Sequence, residues 1–154
     1  MRYDSPEGSM TSSNPAATRT AQGRRALPAW QAVVGGAVIA AVVNLIVLFI
    51  GDAAGASLVI ELNGKPDEIG AGDVIFMSVA APLIGVTAAV LLARWKPVLL
   101  RVAQIVGGAV AVLTAIGPLT QETDGGTAAT LIAMHLIVGF VAVAALEAIR
   151  RSRV

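Results

Sequence analysis

A chain of 154 residues with 56% apolar and 14% charged side chains lies well outside the soluble range, where roughly a quarter of residues carry charge. The net charge is only +1, and there is no cysteine, which excludes disulfides, thiol redox chemistry and thiolate-held metal or iron–sulfur sites. A lone histidine excludes multi-histidine metal centres and bis-histidine haem within one chain, so no cofactor is expected.

Residues 1–28 read as a disordered cytoplasmic tail, rich in Ser, Thr, Ala, Pro and Gly and without apolar periodicity. Its placement argues against a signal peptide, because the first apolar run starts nearly thirty residues in and is too long for one. Met10 offers an alternative start. Arg24 and Arg25 precede the first span, and Pro28 suits a helix's first turn.

The rest of the chain is organised around Ala29–Ile50, an uncharged stretch whose 22 residues reach about 33 Å as a helix, a full hydrocarbon core. Trp30 marks its interface. Residues 51–73 form an acidic extracytoplasmic loop, in which Ser57 to Leu62 has strand character and Asn63-Gly64 signals a turn. Its carboxylates lack metal-loop spacing and are expected to face water.

The second span covers about 74–92 and contains Pro82, which removes the donor to the Ser78 carbonyl and predicts a kink. Arg94, Trp95 and Lys96 follow in a connection short enough to make spans two and three an antiparallel hairpin. The third span, about 98–117, is stopped by Gly117-Pro118 and holds Arg101 where it can snorkel to the headgroups. The fourth, about 127–149, ends in Arg150, Arg151 and Arg153, with Glu147 one turn earlier and spaced to pair with them. The sequence Val34-Gly35-Gly36-Ala37-Val38 recurs as Val106-Gly107-Gly108-Ala109-Val110, both in outward-running spans.

A cytoplasmic N-terminus would place ten of the eleven basic residues inside, with Lys65 alone outside. The expected architecture is therefore an all-α, up-down-up-down four-helix transmembrane bundle in the plasma membrane, with both termini cytoplasmic. The bases Arg24, Arg25, Arg94, Lys96, Arg101, Arg150, Arg151 and Arg153 would set that topology and attract anionic lipid rather than nucleic acid.

Small residues lead to one polar side chain on every span. The tracks are Ala37-Ala41-Asn44, Gly85-Ala81-Ser78, Gly107-Ala111-Thr114 and Ala142-Gly139-His135, each on one helical face. Depth adds a coincidence, since Asn44, Ser78, Thr114 and His135 all fall within roughly 5 to 12 Å of the outer boundary. There they would form one polar layer, with Asn44 or His135 satisfying the Ser78 carbonyl freed by Pro82. That layer is either a packing network that sets helix register or an outward-facing pocket for a small ligand or lipid headgroup. His135 is its one ionisable member. Thr87 and Gln104 share a second, inner depth.

Asn44-Leu45-Ile46-Val47, Val79-Ala80-Ala81-Pro82-Leu83, Ala133-Met134-His135-Leu136-Ile137-Val138-Gly139 and the Gln121-Glu122-Thr123-Asp124 loop together resemble a family of small actinobacterial integral membrane proteins known only as a domain of unknown function. The resemblance runs from about Pro28 to Arg150 and implies a four-helix membrane bundle without supplying an activity.

No catalytic constellation stands out. Ser78 with His135 lacks an orienting third member, and no span carries a mid-membrane acid for proton or cation coupling. The expected function is a non-enzymatic scaffold, accessory or partner-binding module that self-associates or meets a membrane partner through small-residue faces. A small transporter or channel subunit, or a lipid or small-ligand binder around His135, is the alternative.

Overall fold

The computed structural model describes residues 28–152. Four helices carry it: α1 (Ala29–Ala53), α2 (Ala71–Leu92), α3 (Leu99–Ile116) and α4 (Gly125–Ser152). Two short strands, β1 (Val59–Leu62) and β2 (Lys65–Glu68), stand between α1 and α2. The expected tail and the bases Arg24, Arg25 and Arg153 lie outside the described residues. All four long helical segments have the length and apolar composition to cross a membrane.

α1, α2 and α4 each extend beyond the anticipated spans, because a helix continues past its apolar run wherever its backbone can still hydrogen-bond to itself. Thus α1 continues a turn past Ile50 and ends in a Schellman motif. Gly55 adopts φ +86°, and the Gly55 and Ala56 N–H groups donate back to the Asp52 and Gly51 carbonyls at 2.9 and 3.0 Å. Asp73 steadies the start of α2 by accepting the Gly70 N–H at 3.0 Å. α3 gives way to a 3₁₀ turn, Gly117–Thr120, whose first turn tolerates the missing N–H of Pro118.

The acidic loop contains a β-hairpin of which sequence periodicity indicated only the first strand. Asn63 and Gly64 take φ of +54° and +74°, the left-handed pair that a two-residue type I′ turn requires. They set the register Leu62↔Lys65 through Val59↔Glu68. The second strand, Lys-Pro-Asp-Glu, is fully exposed and carries no apolar alternation to announce it.

α1 packs against both α2 and α4, and α3 packs against α4. The expected α2–α3 hairpin exists as a connection but hardly as a packed pair. An inner core joins all four helices through Val33, Val86, Ala89, Leu100, Leu146 and Ile149. The outer core is built from Leu48, Val74 and Met134 with the loop residues Ala56 and Leu58, and α3 has no member in it.

Close helix approach explains the glycines. A Cβ on Gly139 would overlap that of Ala111, so α3 and α4 meet nearly backbone to backbone. Gly51 would likewise collide with Thr130, bringing α1 onto α4 at its outer end. The repeated Val-Gly-Gly-Ala-Val segments flank α4 from opposite partners: Gly36 lies 3.3 Å from a Val141 methyl and Gly108 lies 3.9 Å from one of Val143, measured from the position a Cβ would take.

Candidate functional site

Asn44 and Ser78 meet as the polar layer requires. Both are 2% exposed, and the Asn44 amide donates to Ser78 Oγ at 2.8 Å and to the Met134 carbonyl at 3.5 Å. Three helices, α1, α2 and α4, are therefore tied at one point. The acceptor on α2 is the hydroxyl of Ser78, where the sequence had suggested its proline-freed carbonyl.

The other two members do not join. Thr114 is exposed, and its hydroxyl donates back to the carbonyls of Val110 and Ala111 at 2.9 and 3.2 Å. His135 is half-buried, with Nδ1 2.8 Å from the Leu131 carbonyl of its own helix. The cause is geometric: α3 packs chiefly against α4 and contributes no member to the outer core, which leaves Thr114 exposed. Depth along a helix was readable, but the angle at which α3 joins the bundle was not. Thr87 and Gln104, expected at a shared depth, make no hydrogen bond with each other. Gln104 instead donates to Glu147 at 3.0 Å, while Thr87 is exposed.

The densest polar cluster lies at the hairpin end of the bundle, where α4 begins, and was not anticipated. Asp124 caps α4 by accepting the Thr127 N–H at 3.0 Å on Oδ1. Its Oδ2 accepts the Ser57 N–H at 3.0 Å and the hydroxyls of Ser57 and Thr127 at 2.5 Å each. Thr127, fully buried, in turn accepts the Leu58 N–H at 2.8 Å. That bond holds Leu58 at φ +53° with its side chain in the outer core. Thr123 adds a 2.6 Å bond from its hydroxyl to the Val59 carbonyl. The knot clamps the hairpin onto the start of α4. An Asp just before a Gly-Gly-Thr helix start was a legible cap signal; a partner 67 residues away was not.

The Ser57 hydroxyl, with the Thr127 donors, holds the Asp124 carboxyl far below the usual carboxylate range. Glu61 is pushed the other way because the Glu122 carboxyl faces it. Those two acids line a groove of about 360 Å³ together with Val59, Ile60 and Pro66. A second groove, of about 320 Å³, lies between the outer ends of α1 and α4 and is lined by Gly51, Ala54, Ala129, Thr130 and Ala133 among others. Among the described residues no three His, Asp or Glu side chains are grouped to hold a metal ion.

At the opposite end, Arg94, Lys96 and Arg101 are exposed. Glu147 accepts from Arg150 at 2.8 Å and from Arg151 at 2.6 Å, as the spacing predicted.

Four apolar helices packed through glycine contacts, with polar bonds consumed in helix register and loop anchoring, define a four-helix membrane protein. Residues 24–152 match the group described as Family of unknown function (DUF6069), and the chain belongs to that family. No curated protein and no solved structure matches it.

Proposed function

We propose that the protein is a non-enzymatic membrane module that works by docking a partner, another membrane protein or a second copy of itself, along α3. The observation that carries this reading is how little of α3 its own bundle covers. Only Leu100 and Ala115 are buried on it, while Ile105 and Leu113 are 68% and 64% exposed. In lipid, helices associate through packing and polar contacts, and a helix held mainly by one neighbour keeps a broad face for another.

Because the chain has no native cysteine, Ile105→Cys and Leu113→Cys variants allow clean crosslinking in membranes. Recurrent adducts at these positions, absent for cysteines placed on the α1–α4 side, support the reading; a lone monomer at native abundance refutes it.

The same reading places the protein in the plasma membrane with both termini cytoplasmic. Its support is charge placement: the exposed Arg94, Lys96 and Arg101 lie at the end of the bundle where α1 begins and α4 finishes, and the acidic hairpin lies at the other. Labelling of Asn63→Cys but not Trp95→Cys by an impermeant maleimide in intact cells tests the orientation. An actinobacterial source rests on the sequence resemblance, and genomic context checks it. The alternative of a ligand site around His135 has weaker support, since its Nδ1 is engaged with its own helix and Thr114 points elsewhere.

A further inference from the structure

Among the described residues, the buried side-chain polar atom left without a hydrogen-bond partner is Asn44 Oδ1. Its neighbours set the orientation of the amide. One and the same nitrogen faces Ser78 Oγ at 2.8 Å and the Met134 carbonyl at 3.5 Å. A carbonyl only accepts, so turning the amide over would set two acceptor oxygens against each other. The unpartnered atom is therefore an acceptor, on a residue 2% exposed.

A second acceptor stands close by. Pro82 lies inside α2 and has no N–H, which deprives the Ser78 carbonyl of its usual donor four residues on. The Asn44 amide, a donor brought to this serine from another helix, is spent on the Ser78 hydroxyl and on Met134. Two acceptors thus attend the same serine, in a layer where an unmet hydrogen bond is expensive.

We propose that this node is a binding site for a single water molecule, which donates one hydrogen to Asn44 Oδ1 and the other to the Ser78 carbonyl. The chemistry selects the guest. It must carry two donor hydrogens and be very small, since Asn44 and Ser78 are each 2% exposed, and it must be neutral because the acids among the described residues lie toward the ends of the bundle. A lipid hydroxyl supplies one hydrogen only. Ordered water is a recognised way of satisfying the backbone group that a proline frees within a membrane helix. Seated here, it restores the missing rung of α2 and ties that rung to α1, so the proline break becomes a hydrated joint shared by two helices.

Ser78-Val79 is the sole Ser–Val step in the chain, so carbonyl-labelled serine with ¹⁵N-valine isolates one peptide group in the full-length protein. Solid-state NMR in lipid bilayers then reads polarisation transfer from water protons to the Ser78 carbonyl. The wild type is expected to show the transfer. Asn44→Leu removes one acceptor and should abolish it. Pro82→Ala supplies an N–H, and should leave the carbonyl hydrogen-bonded by chemical shift yet dry. Helicity of each variant by circular dichroism identifies any misfolded sample, and either folded variant is decisive alone. No water transfer in the wild type, transfer from a lipid proton instead, or transfer that survives in a folded variant would each overturn the proposal.

Discussion

The contact between Gly139 and Ala111 gives the sharpest quantitative test of how the bundle is held. A Cβ placed on Gly139 overlaps the Ala111 Cβ but clears the Ala111 Cα by 3.6 Å, an ordinary van der Waals separation. Gly139→Ala alone must therefore push α3 off α4 or bend one of them, and overpacking of this kind costs about 1–3 kcal/mol. Ala111→Gly alone removes one methyl and loosens a helix interior, a change of about 0.5–1 kcal/mol. The double variant moves the methyl from one helix to the other and leaves the number of alanines and glycines unchanged. It should return to within about 1 kcal/mol of the wild type, with a coupling energy of at least about 0.5 kcal/mol across the cycle. Steric trapping in bicelles, or SDS titration followed by circular dichroism, measures the four stabilities. A neutral Gly139→Ala, or a double variant equal to the sum of the singles, would show that the two helices do not cross at these residues.

Further expectations concern the polar contacts. Thr127→Val keeps the shape of the side chain but strands the Leu58 N–H, and should lower stability by about 1–3 kcal/mol, with hydrogen exchange rising at Leu58. If that amide stays protected, the clamp lies elsewhere. The Asp124 carboxyl titrates lower folded than unfolded, so its contribution is complete above the ordinary aspartate value of about 3.9 and is lost as pH falls from there through the folded value. Thermal unfolding at pH 7 and pH 3 should therefore differ more for the wild type than for Asp124→Asn; equal differences would contradict the hydrogen bonds drawn to it. Glu122→Gln removes the charge facing Glu61 and should bring the Glu61 titration, followed by carboxyl NMR, down toward its ordinary range. Ser78→Ala takes the 2.8 Å acceptor from the buried Asn44 amide and should cost about 1–3 kcal/mol, read in the same SDS titration.

Much of this protein follows from local chemistry that any stretch of its sequence carries. An uncharged run such as Ala29–Ile50 has one stable form in hydrocarbon, a helix that satisfies its own backbone. The Asn63-Gly64 turn, the pairing of Glu147 with Arg150 and Arg151, and the meeting of Asn44 with Ser78 were legible for the same reason: each depends on spacing, backbone preference or depth. Only the assembled structure decided which faces meet. Small residues are so abundant here that many crossings are compatible with the sequence, and the close contact of Gly139 with Ala111 selects one that carries Thr114 away from the polar layer. The knot of Ser57, Asp124 and Thr127 likewise unites a loop with a helix start far along the chain. Such long-range pairings leave no periodic trace, because what creates them is the angle between helices rather than the order of residues within one.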